Sequence, residues 1–196
     1  MALVKYNNNS ISAVTSAAAI PSGAMTLIKE VTASSSSTIS FVDGTSDVVL
    51  DSTYPIYMFK FINIHPATAG SILKVNFSDD TSSHSYNLTK TTTSFYARLD
   101  EDDSDGQVTY NTGVDLANAT GDQEIVLNTN NNNTSSASGE LTLFSPASTT
   151  FIKHFMAGVA GHRHSSAALD SYTAGYFNTT AAITALDFKM SSGNID

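Results

Sequence analysis

An acidic run at residues 100–106 carries the residue types that a hard cation would need. It reads Asp-Glu-Asp-Asp-Ser-Asp-Gly, and oxygen ligands at alternate positions before a glycine turn suit calcium. Counted from the second residue of the run, a calcium loop would take Asp103 and Asp105 as ligands and Gly106 as the turn. The twelfth position is Thr112, where such loops place a bidentate glutamate. A solvated hairpin tip is therefore the favoured interpretation, with calcium binding as the alternative.

Two histidines, His162 and His164, form a second candidate metal site. On a strand they would project to the same side, and copies of the pair around a threefold axis could complete a six-coordinate site. Small residues surround the pair and favour a mobile loop instead: Gly158, Gly161, Ser165 and Ser166. The remaining three histidines lie far apart in the sequence and show no ligand spacing.

Motifs for catalysis are absent from the sequence. There is no G-x-S-x-G nucleophile turn, no H-E-x-x-H zinc motif and no glycine loop that could cradle a phosphate. Serine, histidine and aspartate are all present, but a chain of this composition contains them whatever its function. Their presence is therefore not evidence of catalysis. The sequence therefore predicts a protein that is not an enzyme and uses no cofactor.

The composition is that of a neutral-polar, foldable chain. Its 196 residues include 28 serines, 24 threonines and 15 asparagines, and only 14% of the residues are charged. An average soluble domain carries roughly 25% charged residues. The hydrophobic fraction of 41% is enough to build a core, and the length favours a single main domain.

The charge and the lack of cysteine exclude several classes of function. The net charge is −9, and the acidic residues concentrate between Asp43 and Glu124. An acidic surface repels phosphate, so binding to nucleic acid or to an anionic membrane is disfavoured. No apolar run reaches the length of a membrane span, and disulfides and thiolate metal sites are excluded because cysteine is absent.

Alternation of apolar and polar residues predicts strands along most of the chain. The clearest cases are 73–78 and 186–190, where every second residue is apolar. The run 56–62 is apolar at nearly every position, which predicts a central strand covered on both faces. The runs 39–42 and 151–156 are predicted as strands in the same way. Weaker candidates are 25–32, 86–88, 94–99, 108–110, 124–127, 140–144 and 172–177. Helix is expected only as a turn or two at 12–19 and at 115–119.

Turn residues separate these runs at short intervals. Asp43-Gly44, Asp105-Gly106 and Ser192-Gly193 supply tight-turn positions, and a proline ends two of the strands. About ten short strands separated by such turns predict an all-β fold, an antiparallel β-sandwich of jelly-roll or Greek-key-like type. Residues 1–22 cannot build a core and are expected to form a short extended N-terminal arm for assembly, ahead of a sandwich domain at 23–196.

Several strand-and-turn segments resemble a known group of proteins. They are Tyr54-Pro-Ile-Tyr-Met-Phe59, Phe61-Ile-Asn-Ile-His-Pro-Ala67, Ser138-Gly-Glu-Leu-Thr-Leu-Phe-Ser-Pro146 and Phe188-Lys-Met-Ser-Ser-Gly-Asn-Ile195. With these segments the chain is similar to small β-sandwich virion structural proteins of tailed, marine-type bacteriophages. The resemblance implies a component of the virion, either a tail-fibre (host-attachment) protein or a head-decoration protein. It carries over no site residues, because the shared positions are core and turn positions.

The residues and the resemblance together predict a homo-oligomer, with a trimer favoured, that contacts other virion proteins through its N-terminal arm. A host surface glycan is a further expected partner, whereas nucleic acid and membrane insertion are not expected. An extracellular carbohydrate-binding β-sandwich module, with tyrosine and phenylalanine forming the sugar platform, is the alternative function.

Overall fold

The computed structural model describes residues 25–196 and is all-β. The compact unit that carries the strands is Val31–Asp196, and Met1–Glu30 is divided from it as a separate unit. The predicted arm at 1–22 and the predicted helical turn at 12–19 lie outside the described residues. The ten strands are β1 Ile39–Val42, β2 Ile56–Ile64, β3 Ser71–Ser78, β4 Lys90–Asp100, β5 Gly106–Tyr110, β6 Gln123–Thr129, β7 Ala137–Phe144, β8 His154–Arg163, β9 Ala167–Phe177 and β10 Ala185–Met190.

These strands form two antiparallel layers, which confirms the predicted sandwich. The six-stranded layer has the order β2-β7-β8-β9-β4-β5, and the four-stranded layer has the order β1-β10-β3-β6. A single pair, Thr129 with Arg163, joins the layers by linking β6 to β8. The order β7-β8-β9-β4 is Greek-key-like, because three hairpin-connected strands lie beside a fourth reached by a long connection.

Aromatic side chains from both layers fill the space between them. Phe77 on β3 lies 5.2 Å from Phe155 on β8 and 4.6 Å from Phe177 on β9, measured between ring centroids. Phe188 on β10 lies 5.0 Å from Phe61 on β2. These contacts follow from the alternation, which places every second residue of each strand on the inner face.

The predicted central position of the 56–62 strand is wrong. Within the described residues β2 pairs only with β7, and its alternate side chains Ile56 and Met58 are exposed. Most side chains of β2 that point away from the other layer are apolar although they are exposed. Apolar residues on both sides of a strand therefore do not require that both sides are buried. A bulge at Asn63, with a φ of 53°, interrupts the pairing before Ile64.

Three weaker predictions also differ from the structure. Residues 115–119, expected as a helical turn, form bends and an isolated bridge from Ala119 to Lys90. Residues 25–32 and 86–88 contain no strand. In two of these segments the backbone bonds to a neighbouring strand without joining its ladder: Leu88 N donates to Phe77 O of β3, and Ala119 N donates to Lys90 O of β4.

Candidate functional site

The outward surface of the six-stranded layer is unusually apolar. We call it the outer face and define it by nine exposed apolar side chains that share the outward register of β2, β8, β9, β4 and β5. They are Ile56, Met58, Ile62, Phe95, Leu99, Val108, Tyr110, Met156 and Tyr172. Between β2 and β8 the outward residues of β7 are mostly polar: Ser138, Glu140, Thr142 and Phe144. Exposed apolar patches of several hundred Å² are rare on monomeric proteins and mark interaction surfaces.

An aromatic row crosses the outer face on three neighbouring strands. Tyr172 on β9 is paired with Phe95 on β4, which is paired with Tyr110 on β5. The rings of Phe95 and Tyr172 stack at 5.1 Å between centroids, with an interplanar angle of 18°. On the other side of Tyr172 lies Gly158 of β8, where an added Cβ would come within 3.5 Å of the tyrosine ring. This is an ordinary van der Waals distance, so the Tyr172 ring lies directly beside Gly158.

Each tyrosine of the row donates its hydroxyl hydrogen to a carboxylate. Tyr172 Oη lies 3.0 Å from Asp170 Oδ2, and Tyr110 Oη lies 2.7 Å from Asp115 Oδ2. The hydrogen bond to the Asp170 carboxylate raises the pKa of Tyr172, because ionising the phenol would remove its donor. The row therefore combines ring faces with polar groups at its rim.

Charge is sparse on the outer face. Lys60 on β2 and Glu140 on β7 form an ion pair of 2.9 Å between Nζ and Oε2, with both side chains about half exposed. Asp170 is the other charged residue at an outward position of these strands. Although the whole chain carries a net charge of −9, the outer face carries about −1.

The acidic run forms the turn between β4 and β5, as the hairpin-tip interpretation predicts. Asp105 pairs with Arg98, whose Nε also lies 3.3 Å from Asp100 Oδ1. Asp103 lies in the turn with a φ of 58°. Because Arg98 already neutralises Asp105, the turn has an internal cation, and calcium binding at Asp103 and Asp105 stays an untested prediction.

The two histidines of the second candidate site have different neighbours. His162 Nδ1 lies 2.7 Å from Ser135 Oγ, and its Nε2 lies 3.5 Å from Glu101 Oε1. His164 follows the end of β8 and lies against Gly70. Metal binding by His162 and His164 likewise stays a prediction.

The fold brings one residue of each candidate metal site to a shared cavity. Asp103 and His162 both line an open cavity of about 540 Å³ at the end of the outer face, beside Leu99, Glu101 and Ala168. Within residues 25–196 no group of three or more histidine, cysteine, aspartate or glutamate side chains has an arrangement that could hold a metal ion. No described helix is long and apolar enough to span a bilayer.

Sequence reasoning missed two buried lysines. Lys90 is fully buried, and its Nζ donates to Asn76 Oδ1 at 2.7 Å and to Leu88 O at 3.0 Å. Lys153 is also buried and donates to the carbonyl oxygens of Ser148, Thr179 and Ala181. Lys153 lies in the predicted strand run 151–156, whose alternation indicates a facing direction but not whether carbonyl oxygens surround the ammonium group. Lys90 lies outside every run that was predicted as a strand.

Burial makes the stability of the protein depend on the protonation of Lys90. Desolvation lowers the pKa of Lys90 from 10.5 to about 8, partly offset by the charges of Asp122 and Asp187. Between pH 8 and 10.5 the unfolded state therefore binds more protons than the folded state, and stability rises with pH. We expect the free energy of unfolding of the wild type, relative to Lys90→Met, to increase by about 3 kcal/mol across this window.

Urea unfolding of both proteins at several pH values from 7 to 10.5 measures this difference. At each pH the free energy of unfolding of Lys90→Met is subtracted from that of the wild type. The subtraction cancels the contribution of every group that titrates identically in both proteins. A difference that stays constant with pH would show that Lys90 titrates at the same pH in the folded and unfolded states.

Comparison of the chain with protein-family models, with curated proteins and with solved structures found no match in any of the three.

Proposed function

We propose that this chain is a non-enzymatic structural component of a tailed-bacteriophage virion, a tail-fibre (host-attachment) or head-decoration protein, that acts by self-assembly and surface contact. The observation that carries the proposal is the outer face, an apolar and nearly uncharged surface on a rigid sandwich. Burying such a face against protein is favourable, whereas leaving it in water exposes an aggregation-prone patch. The resemblance to virion β-sandwich proteins supports the same assignment.

The composition also suits an assembled particle protein. Serine, threonine and asparagine supply many uncharged hydrogen-bonding groups for contacts between neighbouring copies. Two buried lysines and the aromatic core hold the sandwich as a fixed scaffold on which the outer face is presented.

Locating the chain in purified particles tests this function. An antibody raised against the chain is applied to gradient-purified virions of the phage that encodes it, with mass spectrometry of the same fraction. We expect the chain to co-sediment with the particles, and immunogold labelling to distinguish tail from head. Finding the chain only in the soluble lysate, and not in particles, would contradict the proposal.

A carbohydrate-binding module is a second candidate, favoured by the aromatic row with its rim of carboxylates. Tyrosine faces stack on sugar rings, and carboxylates accept hydrogen bonds from sugar hydroxyls. Under this function, titration calorimetry with cellohexaose or chitohexaose should give binding heat that Tyr172→Ala abolishes. Phe151→Ala removes an exposed ring that lies in the loop before β8 and should leave the heat unchanged. Absence of heat with the wild-type protein would argue against these glycans as ligands.

A further inference from the structure

We infer that two copies of this chain pair face to face through the outer face. The inference rests on the proposed function, because it names the partner for the self-assembly proposed above. Four features of the outer face support a second copy as its occupant: its size, its side-chain chemistry, its charge and the arrangement of its rings.

The size of the outer face matches a protein partner. Six strands spaced about 4.8 Å apart, over about seven residues at roughly 3.4 Å each, cover about 650 Å². A stable protein interface buries roughly 800 Å² on each partner. Side chains that project from the sheet add to its flat area and bring the accessible surface of the outer face close to that value. The apolar groups extend from β2 at one edge to β5 at the other, which is wider than a short oligosaccharide needs.

The side-chain chemistry favours protein over sugar. Six of the nine defining residues are aliphatic, and aliphatic side chains gain free energy by packing against other apolar groups. The Phe95 and Tyr172 rings stack on each other, so one face of each ring is already occupied and is lost to a sugar. Methionines such as Met58 and Met156 adapt their shape to a partner surface.

The charge distribution favours a copy of the same chain. Two molecules of net charge −9 repel each other, but the outer face carries only about −1 and so brings little of that charge into contact. The one ion pair on the outer face, between Lys60 and Glu140, is internally neutralised. A twofold pair brings the same patch of both copies together, so a patch of low net charge meets little repulsion from its own copy.

Placing a carboxylate on the outer face tests the inference. Sedimentation velocity and light scattering of the full chain should give twice the 20.7 kDa chain mass at micromolar concentration. Met156 is 56% exposed, so Met156→Glu should fold normally. In a twofold pair it adds two like charges to a desolvated interface, and we expect the dissociation constant to rise about 100-fold or more.

Val108→Glu on β5 provides a second, independent disruption, since Val108 is 77% exposed. The matched control is Phe151→Glu, which adds the same charge at a 73% exposed residue outside the outer face and should leave the dimer intact. Circular dichroism of each variant checks that the sandwich is folded.

A wild-type monomer, or a trimer, would overturn the inference, and so would a dimer that Met156→Glu and Val108→Glu leave unchanged. A monomer with glycan affinity lost in Tyr172→Ala would assign the face to sugar instead. Because particle location is measured separately, a monomer found in virions defeats this inference alone, whereas a dimer absent from virions defeats the proposed function alone.

Discussion

Replacing Lys153 with methionine is expected to lower the free energy of unfolding by roughly 2–4 kcal/mol. The Lys153 ammonium group donates to the carbonyl oxygens of Ser148, Thr179 and Ala181, and so ties the segment before β8 to the segment after β9. Burial of Lys153 lowers its pKa, which records the cost of placing its charge away from water. Methionine removes that cost but leaves three carbonyl oxygens without their donor, and we expect the second effect to dominate.

Urea unfolding followed by circular dichroism measures this loss. It is carried out at one protein concentration, because association stabilises a folded oligomer. The matched control is Lys74→Met, which removes a lysine from a 3.3 Å ion pair with Glu124 on the four-stranded layer, away from the outer face, and should change stability by about 1 kcal/mol or less. Equal losses in Lys153→Met and Lys74→Met would show that the buried hydrogen bonds contribute no more than that ion pair.

Replacing Phe77 with alanine is expected to cost about 3–5 kcal/mol, the range for truncating a buried aromatic side chain. Phe77 is fully buried and contacts Phe155 and Phe177 of the opposite layer, with an edge-to-face geometry toward Phe177. Removing the ring leaves a cavity between two hydrogen-bonded layers, which cannot collapse without disturbing strand pairing on both sides.

The control for Phe77→Ala is Phe151→Ala, since Phe151 is 73% exposed and its truncation should change stability by about 0.5 kcal/mol or less. The two variants lose the same atoms, so the difference between their urea midpoints isolates burial. If Phe77→Ala unfolded at the same urea concentration as Phe151→Ala, the two layers could not be packed through Phe77.

Much of the fold was predictable because side-chain direction alternates along a strand. The runs 73–78 and 186–190 were correctly predicted as strands, and the acidic run was correctly predicted as a hairpin tip. The prediction that the two strands are half-buried was wrong, because the polar side chains Asn76, Ser78 and Asp187 are buried as well. The prediction was wrong for the 56–62 strand, because an apolar outer face and a buried one produce the same sequence pattern. Burial depends on neighbouring strands that the local sequence does not specify.

The sequence by itself determined the fold class, the absence of known catalytic motifs, and which residues of each strand share a side. Only the tertiary structure decided what lies opposite those sides. It brought Tyr172, Phe95 and Tyr110 into one row, placed Asp103 and His162 at one cavity, and gave Lys153 three carbonyl partners. The physical reason is that strand alternation is a local property, whereas these contacts join residues far apart in the chain through pairing and packing between layers.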